Sequence, residues 1–61
     1  MKQVYIGLDG ETDTILTVAF SKSSVLKELF ELDVYFPNKK EFLARWTERY
    51  LIEVWHVGEE Q

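Results

Sequence analysis

Asp9, Glu11 and Asp13 place three carboxylates at alternate positions of one short loop, the spacing with which a calcium-binding loop opens. Such a loop needs a bidentate glutamate at its twelfth position, and here that position is Phe20. The run therefore reads as a charged hairpin tip. His56 is the one side chain whose ordinary pKa lies near neutrality. A catalytic role would require a nucleophile or carboxylate brought to it by folding, and Glu53 and Glu59 are near only along the chain. It reads as a packed or rim histidine. Ser21, Ser23 and Ser24 lack the glycine-rich context of a phosphate loop and read as helix-capping residues. Trp46 beside Arg45 and Arg49 has the composition of a base-stacking platform, but the acidic balance of the chain and the burial expected of Trp46 oppose that use. No catalytic residue, cofactor or metal ligand is assigned, and an enzyme is not expected.

What the sequence holds in quantity is aromatic surface: Trp46, Trp55, Tyr5, Tyr35, Tyr50, Phe20, Phe30, Phe36 and Phe42, with no cysteine among its 61 residues. A domain of this length buries only about 60% of the surface its unfolded chain exposes. Its core alone rarely supplies more than about 3–5 kcal/mol of net stability. Without disulfides or a thiolate set for zinc, oligomerisation and dense aromatic packing remain as sources of stability. Seven basic against 11 acidic side chains give a formal charge of −4. That balance opposes non-specific binding to nucleic acid or anionic lipid, so neither a direct nucleic-acid partner nor a membrane partner is expected. No run approaches the roughly 20 apolar residues of a membrane span, and no basic start leads into a signal-length apolar stretch. With cysteine absent, a soluble cytoplasmic protein is expected.

The elements that must position these residues follow from periodicity. Residues 3–8 alternate, with Val4, Ile6 and Leu8 on one side and Tyr5 and Gly7 on the other, which predicts a strand. Asp9-Gly10 opens a turn, and residues 14–20 alternate again, with Leu16, Val18 and Phe20 opposite Ile15, Thr17 and Ala19. Together they predict a β-hairpin. Ser21 caps a helix in which Val25, Leu26, Leu29, Phe30 and Leu32 recur at helical spacing. Pro37 biases Phe36 away from helix. Asn38 with Glu41 then starts a second helix bearing Phe42, Leu43, Trp46 and Tyr50, with Glu41, Arg45 and Arg49 as a polar ladder. Whether the two form one bent helix is left open. Residues 51–57 return to strand alternation, Gly58 ends the strand, and Glu59, Glu60 and Gln61 read as a frayed tail.

Residues 1–61 therefore read as a single α+β domain of two layers, in the order ββααβ. A three-stranded antiparallel sheet carries one or two helices on one face, with the last strand beside the first. Val4, Ile6, Leu8, Leu16, Val18, Phe20, Ile52 and Val54 are expected to face the helices, meeting Leu26, Leu29, Phe30, Phe42, Leu43 and Trp46; on the last strand the choice of face rests on Glu53, which belongs outward. The outward face then carries Tyr5, Ile15, Thr17, Ala19, Leu51, Trp55 and Val57. That face is too apolar for water and reads as a protein interface, unless Val34, Tyr35 and Phe36 or an N-terminal adjustment cover it. Asp9, Glu11 and Asp13 form a candidate contact for a basic target.

Val4-Tyr5-Ile6-Gly7, Val18-Ala19-Phe20-Ser21 leading into Val25-Leu26-Lys27-Glu28-Leu29, and Tyr50-Leu51-Ile52-Glu53-Val54-Trp55 resemble the small ββαβ proteins common in bacteriophage genomes. The second helix after Pro37 departs from their simplest form. Some such proteins are acidic, homodimeric inhibitors of host enzymes or of bacterial defence systems. The resemblance implies a non-enzymatic, homodimeric inhibitor that covers a surface of a host protein in the host-cell cytoplasm. Two alternatives stay open: a self-associating accessory or scaffold protein, and a protein sequestering a nucleotide-like small ligand.

Overall fold

The computed structural model describes residues 2–58, and the tail expected at Glu59, Glu60 and Gln61 lies outside them. Lys2–Asp9 forms strand β1 and Ile15–Ala19 forms β2. Asp9 builds the turn between them. Its Oδ1 accepts hydrogen bonds from the N–H groups of Glu11 at 2.8 Å and Thr12 at 3.2 Å, and its carbonyl accepts from Asp13 at 2.9 Å. This is the local side-chain-to-backbone bonding that makes aspartate a turn former. Asp13 has a φ of 59°, a left-handed conformation that aspartate tolerates better than most residues.

Ser21 caps α1, Lys22–Leu32, by accepting from the N–H of Ser24 at 3.2 Å. Asn38 caps α2, Lys39–Arg45, by accepting from the N–H of Glu41 at 2.9 Å. The two helices are separate. The second is shorter than its apolar stripe suggested: it tightens into a 3-10 turn at Trp46–Glu48 and passes into β3, Tyr50–Val57. The reason is visible at Arg49, whose carbonyl accepts from the Gly10 N–H at 2.8 Å and so ties the chain to the hairpin loop. Arg49 accordingly leaves the expected helical ladder and lies over the Tyr35 ring, 4.1 Å from its centroid. Arg45 pairs with Glu41 at 3.7 Å and Glu48 at 3.1 Å, exposed pairs of the kind that stabilise little.

The strands form one antiparallel sheet in the order β2-β1-β3, giving the expected α+β arrangement. Register fixes which residues share a face. Gly7 pairs with Thr17 and Ile52, while Ile6 pairs with Val18 and Glu53. A Cβ placed on Gly7 would meet Val25 Cγ1 at 2.9 Å and Leu29 Cδ2 at 3.2 Å, so Gly7 lies directly beneath α1. The Thr17 hydroxyl donates to Glu28 of α1 from the same side.

The helices thus cover the face of β1 and β2 opposite to the one expected. Tyr5, Gly7, Thr17 and Ala19 lie beneath them, and Val4, Ile6, Leu8, Val18 and Phe20 lie on the open side. The expectation fails because α1 seats closely on small residues, where a bare Gly7 lets Val25 and Leu29 approach the backbone. The assignment on β3 holds, with Ile52 and Val54 on the helix side and Leu51, Trp55 and Val57 opposite. A bulge between Gly7 and Leu8 leaves Leu16 as the extra residue on β2, and it packs against the core.

That core is aromatic. Val25, Leu29 and Phe42 are fully buried, joined by Phe36 and Tyr50. The Phe42 ring lies 5.4 Å from Phe30, 5.8 Å from Phe36 and 6.0 Å from Tyr50. Each such pair contributes about 0.5–1.5 kcal/mol beyond its buried area. Leu43, expected inward, is 47% exposed. The radius of gyration is 12.4 Å, against about 10.5 Å for a compact chain of this length. One cause is that the β1–β3 ladder runs on to Lys2↔Val57, past the end of the β1–β2 pairing at Tyr5↔Ala19.

Candidate functional site

Strand alternation and register bring Val4, Ile6 and Leu8 of β1, Ile15 and Val18 of β2, and Leu51, Trp55 and Val57 of β3 onto one side of the sheet. Phe20 continues that side, with the Lys2 ammonium 5.9 Å above its ring. No described element lies across this face. Ile6 and Leu8 on the central strand are buried between their strand neighbours, while Ile15, Val18, Trp55 and Val57 are about half exposed and Phe20 is 71% exposed. The charged side chains in this set are Lys2 and Glu53, one of each sign. Glu53 accepts from the Trp55 indole N–H at 2.9 Å, which fixes the ring's orientation on the face.

Of the residues expected at an interface, Ile15, Leu51, Trp55 and Val57 are brought together here, whereas Tyr5 and Thr17, with Ala19, lie under the helices. Sequence reasoning missed Val4, Ile6, Leu8, Val18 and Phe20. The signal that could have found them was Gly7, a glycine inside a strand that marks close approach of another element. The segment considered as a cover does not serve as one. Phe36 turns into the core, its ring 5.0 Å from Tyr35 and in contact with Phe42, and Val34 is 99% exposed.

In the acidic loop, the Asp9 carboxylate is spent on the turn's N–H groups, leaving Glu11 and Asp13 exposed at the tip. Among the described residues no group of three His, Cys, Asp or Glu side chains could hold a metal ion. His56 pairs across the ladder with Gln3, away from the loop carboxylates. No helix among the described residues is long and apolar enough to cross a membrane.

The perturbed ionisable groups lie elsewhere, at the junction of α1 and β3. The Tyr50 hydroxyl donates to Asp33 Oδ1 at 2.5 Å, and Asp33 Oδ2 accepts from the N–H groups of Phe36 at 2.8 Å and Tyr35 at 3.1 Å. Burial first, and then the bond to Asp33, push the Tyr50 phenol up to about 12. Burial also works to raise the Asp33 carboxyl, but the bonds from Tyr50, Phe36 and Tyr35, with the charge of Arg49, together outweigh it and hold the group below its ordinary value. Each partner is committed to the other, so the pair acts as a brace between elements.

No family model matches the chain, and neither a curated protein nor a solved structure matches it.

Proposed function

We propose that this chain is a non-enzymatic protein-binding module whose open sheet face pairs with a second copy, and that the dimer acts as an inhibitor by occluding a surface of a host protein. The observation that carries the self-pairing is the uncovered apolar face. Its six most accessible side chains, Ile15, Val18, Phe20, Leu51, Trp55 and Val57, offer on the order of 600 Å² per copy. Two copies would bury about 1,200 Å², the lower bound for a stable interface. The face also suits itself electrostatically, since a two-fold axis can set Lys2 of one copy against Glu53 of the other. Face-to-face sheet packing buries the aromatic and aliphatic side chains that a chain of 61 residues cannot cover alone.

The inhibitory half of the proposal rests on the resemblance to phage-type ββαβ proteins. It is also supported by the surface that such pairing leaves accessible, namely the helical layer and the Glu11 and Asp13 loop tip. The pairing is tested by isotope-filtered NMR on a mixture of labelled and unlabelled protein. Intermolecular contacts from Val18, Leu51 and Trp55 are expected. Intermolecular contacts confined to helix residues would contradict it.

A further inference from the structure

The opposite layer holds a second feature that sheet pairing does not use. A groove of about 360 Å³ runs between α1 and α2, and its lining includes Ser24, Leu26, Lys27, Phe30, Lys39 and Leu43. Its accessible apolar lining comes from Leu26, Phe30 and Leu43, above the fully buried Phe42. Lys27 from α1 and Lys39 from α2 supply the rim charge, and no carboxylate lines it. Among the described residues neither lysine has a carboxylate within ion-pair distance.

The charge is unusual for this molecule. Residues 22–49 hold six of the seven bases and five of the 11 acids, so the helical layer is slightly positive within a chain of net charge −4. Arg45 is already paired with Glu41 and Glu48, and Arg49 is stacked on Tyr35. The rim lysines are the cations left to meet an incoming anion at this groove.

We propose that the groove docks an acidic segment of another protein, one that inserts an aliphatic or aromatic anchor against Leu26, Phe30 and Leu43 while flanking carboxylates meet Lys27 and Lys39. Apolar anchors in a hydrophobic groove supply affinity, and charges at the edge supply orientation and selectivity. An acidic partner suits this layer as a basic one suits the Glu11 and Asp13 tip. The site is independent of self-pairing, because it lies on the other side of the sheet.

The test uses the full chain and a fluorescein-labelled peptide of about a dozen residues, with Leu and Phe set among Asp and Glu. Binding by anisotropy is expected, weakening as salt is raised. The variant Lys27→Glu/Lys39→Glu, whose side chains are exposed and whose fold is checked by circular dichroism, should bind at least about tenfold more weakly, a loss of about 1.4 kcal/mol. Amide shifts on titration should centre on Ser24, Lys27, Lys39 and Leu43. Equal affinity for the charge-reversed variant or for a Gln/Asn version of the peptide would overturn the proposal. So would shifts confined to the open sheet face, or decanoate filling the groove while the peptide does not bind.

Discussion

Tyr50, the first residue of β3, donates a 2.5 Å hydrogen bond to Asp33, the residue that caps the C-terminus of α1. Through Asp33 the same carboxylate also holds the N–H groups of Tyr35 and Phe36. One carboxylate, through three hydrogen bonds, thus ties together the end of α1, the path of the chain into the core at Phe36, and the start of the strand that carries Trp55.

Replacing Tyr50 with Phe removes one donor and leaves a part-buried carboxylate oxygen unpaired, which costs about 1–3 kcal/mol. A fall in the urea midpoint measures it. The pH dependence has a defined sign. Because the folded-state phenol is raised from 10.0 to about 12, its contribution is complete below pH 10 and is lost as pH rises through about 12. Tyr50→Phe should lack this alkaline loss. Asp33 is depressed in the folded state. Its contribution is present above the ordinary carboxyl value of 3.8 and is lost as pH falls through the lower folded value. An acid titration of stability monitored by circular dichroism checks this, with Asp33→Asn as the control that should lack the loss.

At Gly7 an added methyl would lie 2.9 Å from both Thr17 Cγ2 and Val25 Cγ1. These atoms belong to a packed layer that cannot shift freely, so Gly7→Ala should destabilise by about 1–3 kcal/mol. Gly58, with nothing within 4 Å of such a methyl, is the internal control, and Gly58→Ala should change stability by less than about 0.5 kcal/mol. Chemical denaturation of the two variants side by side gives the comparison.

Ser21→Ala and Asn38→Ala each remove the side-chain acceptor at a helix start. Each should cost about 1 kcal/mol, and because the two caps share no partner their effects should add. A double variant far from the sum would show that the two caps are energetically coupled.

Order and type of the elements were legible because their signals are local: two alternating runs around Asp9-Gly10, Ser21 and Asn38 as caps, and Pro37 as a break. The choice of sheet face was not local. Both sides of β1 and β2 offer apolar residues, and the decision went to the side on which α1 could seat most closely, over Gly7, Thr17 and Ala19. On β3 the polar Glu53 removed the ambiguity, and there the reading holds. The end of α2 was also hidden, because it depends on Arg49 bonding to Gly10, 39 positions earlier in the chain. Leu51, Trp55, Val57 and Ile15 were therefore found for the open face, while Val4, Ile6, Leu8, Val18 and Phe20 were not.

Tyr5 and Trp55 separate fold from association. Tyr5 packs against the core under the helices, so Tyr5→Ala should cost about 2 kcal/mol of stability and leave self-pairing of the folded fraction unchanged. Trp55 is half exposed on the open face, so Trp55→Lys should weaken self-pairing by about tenfold or more with little change in unfolding of the monomer. Urea unfolding paired with light scattering distinguishes the two effects, and the reverse pattern would place the interface on the helix side.

Sedimentation equilibrium over a wide concentration range tests self-pairing most directly, since it needs no assumption about any other partner. The wild-type chain, 7.2 kDa per copy, should sediment as a dimer at micromolar concentration, and Trp55→Lys and Val18→Lys should each return it to a monomer. A folded wild-type monomer at every concentration, or a dimer indifferent to both substitutions, would contradict pairing through the open sheet face.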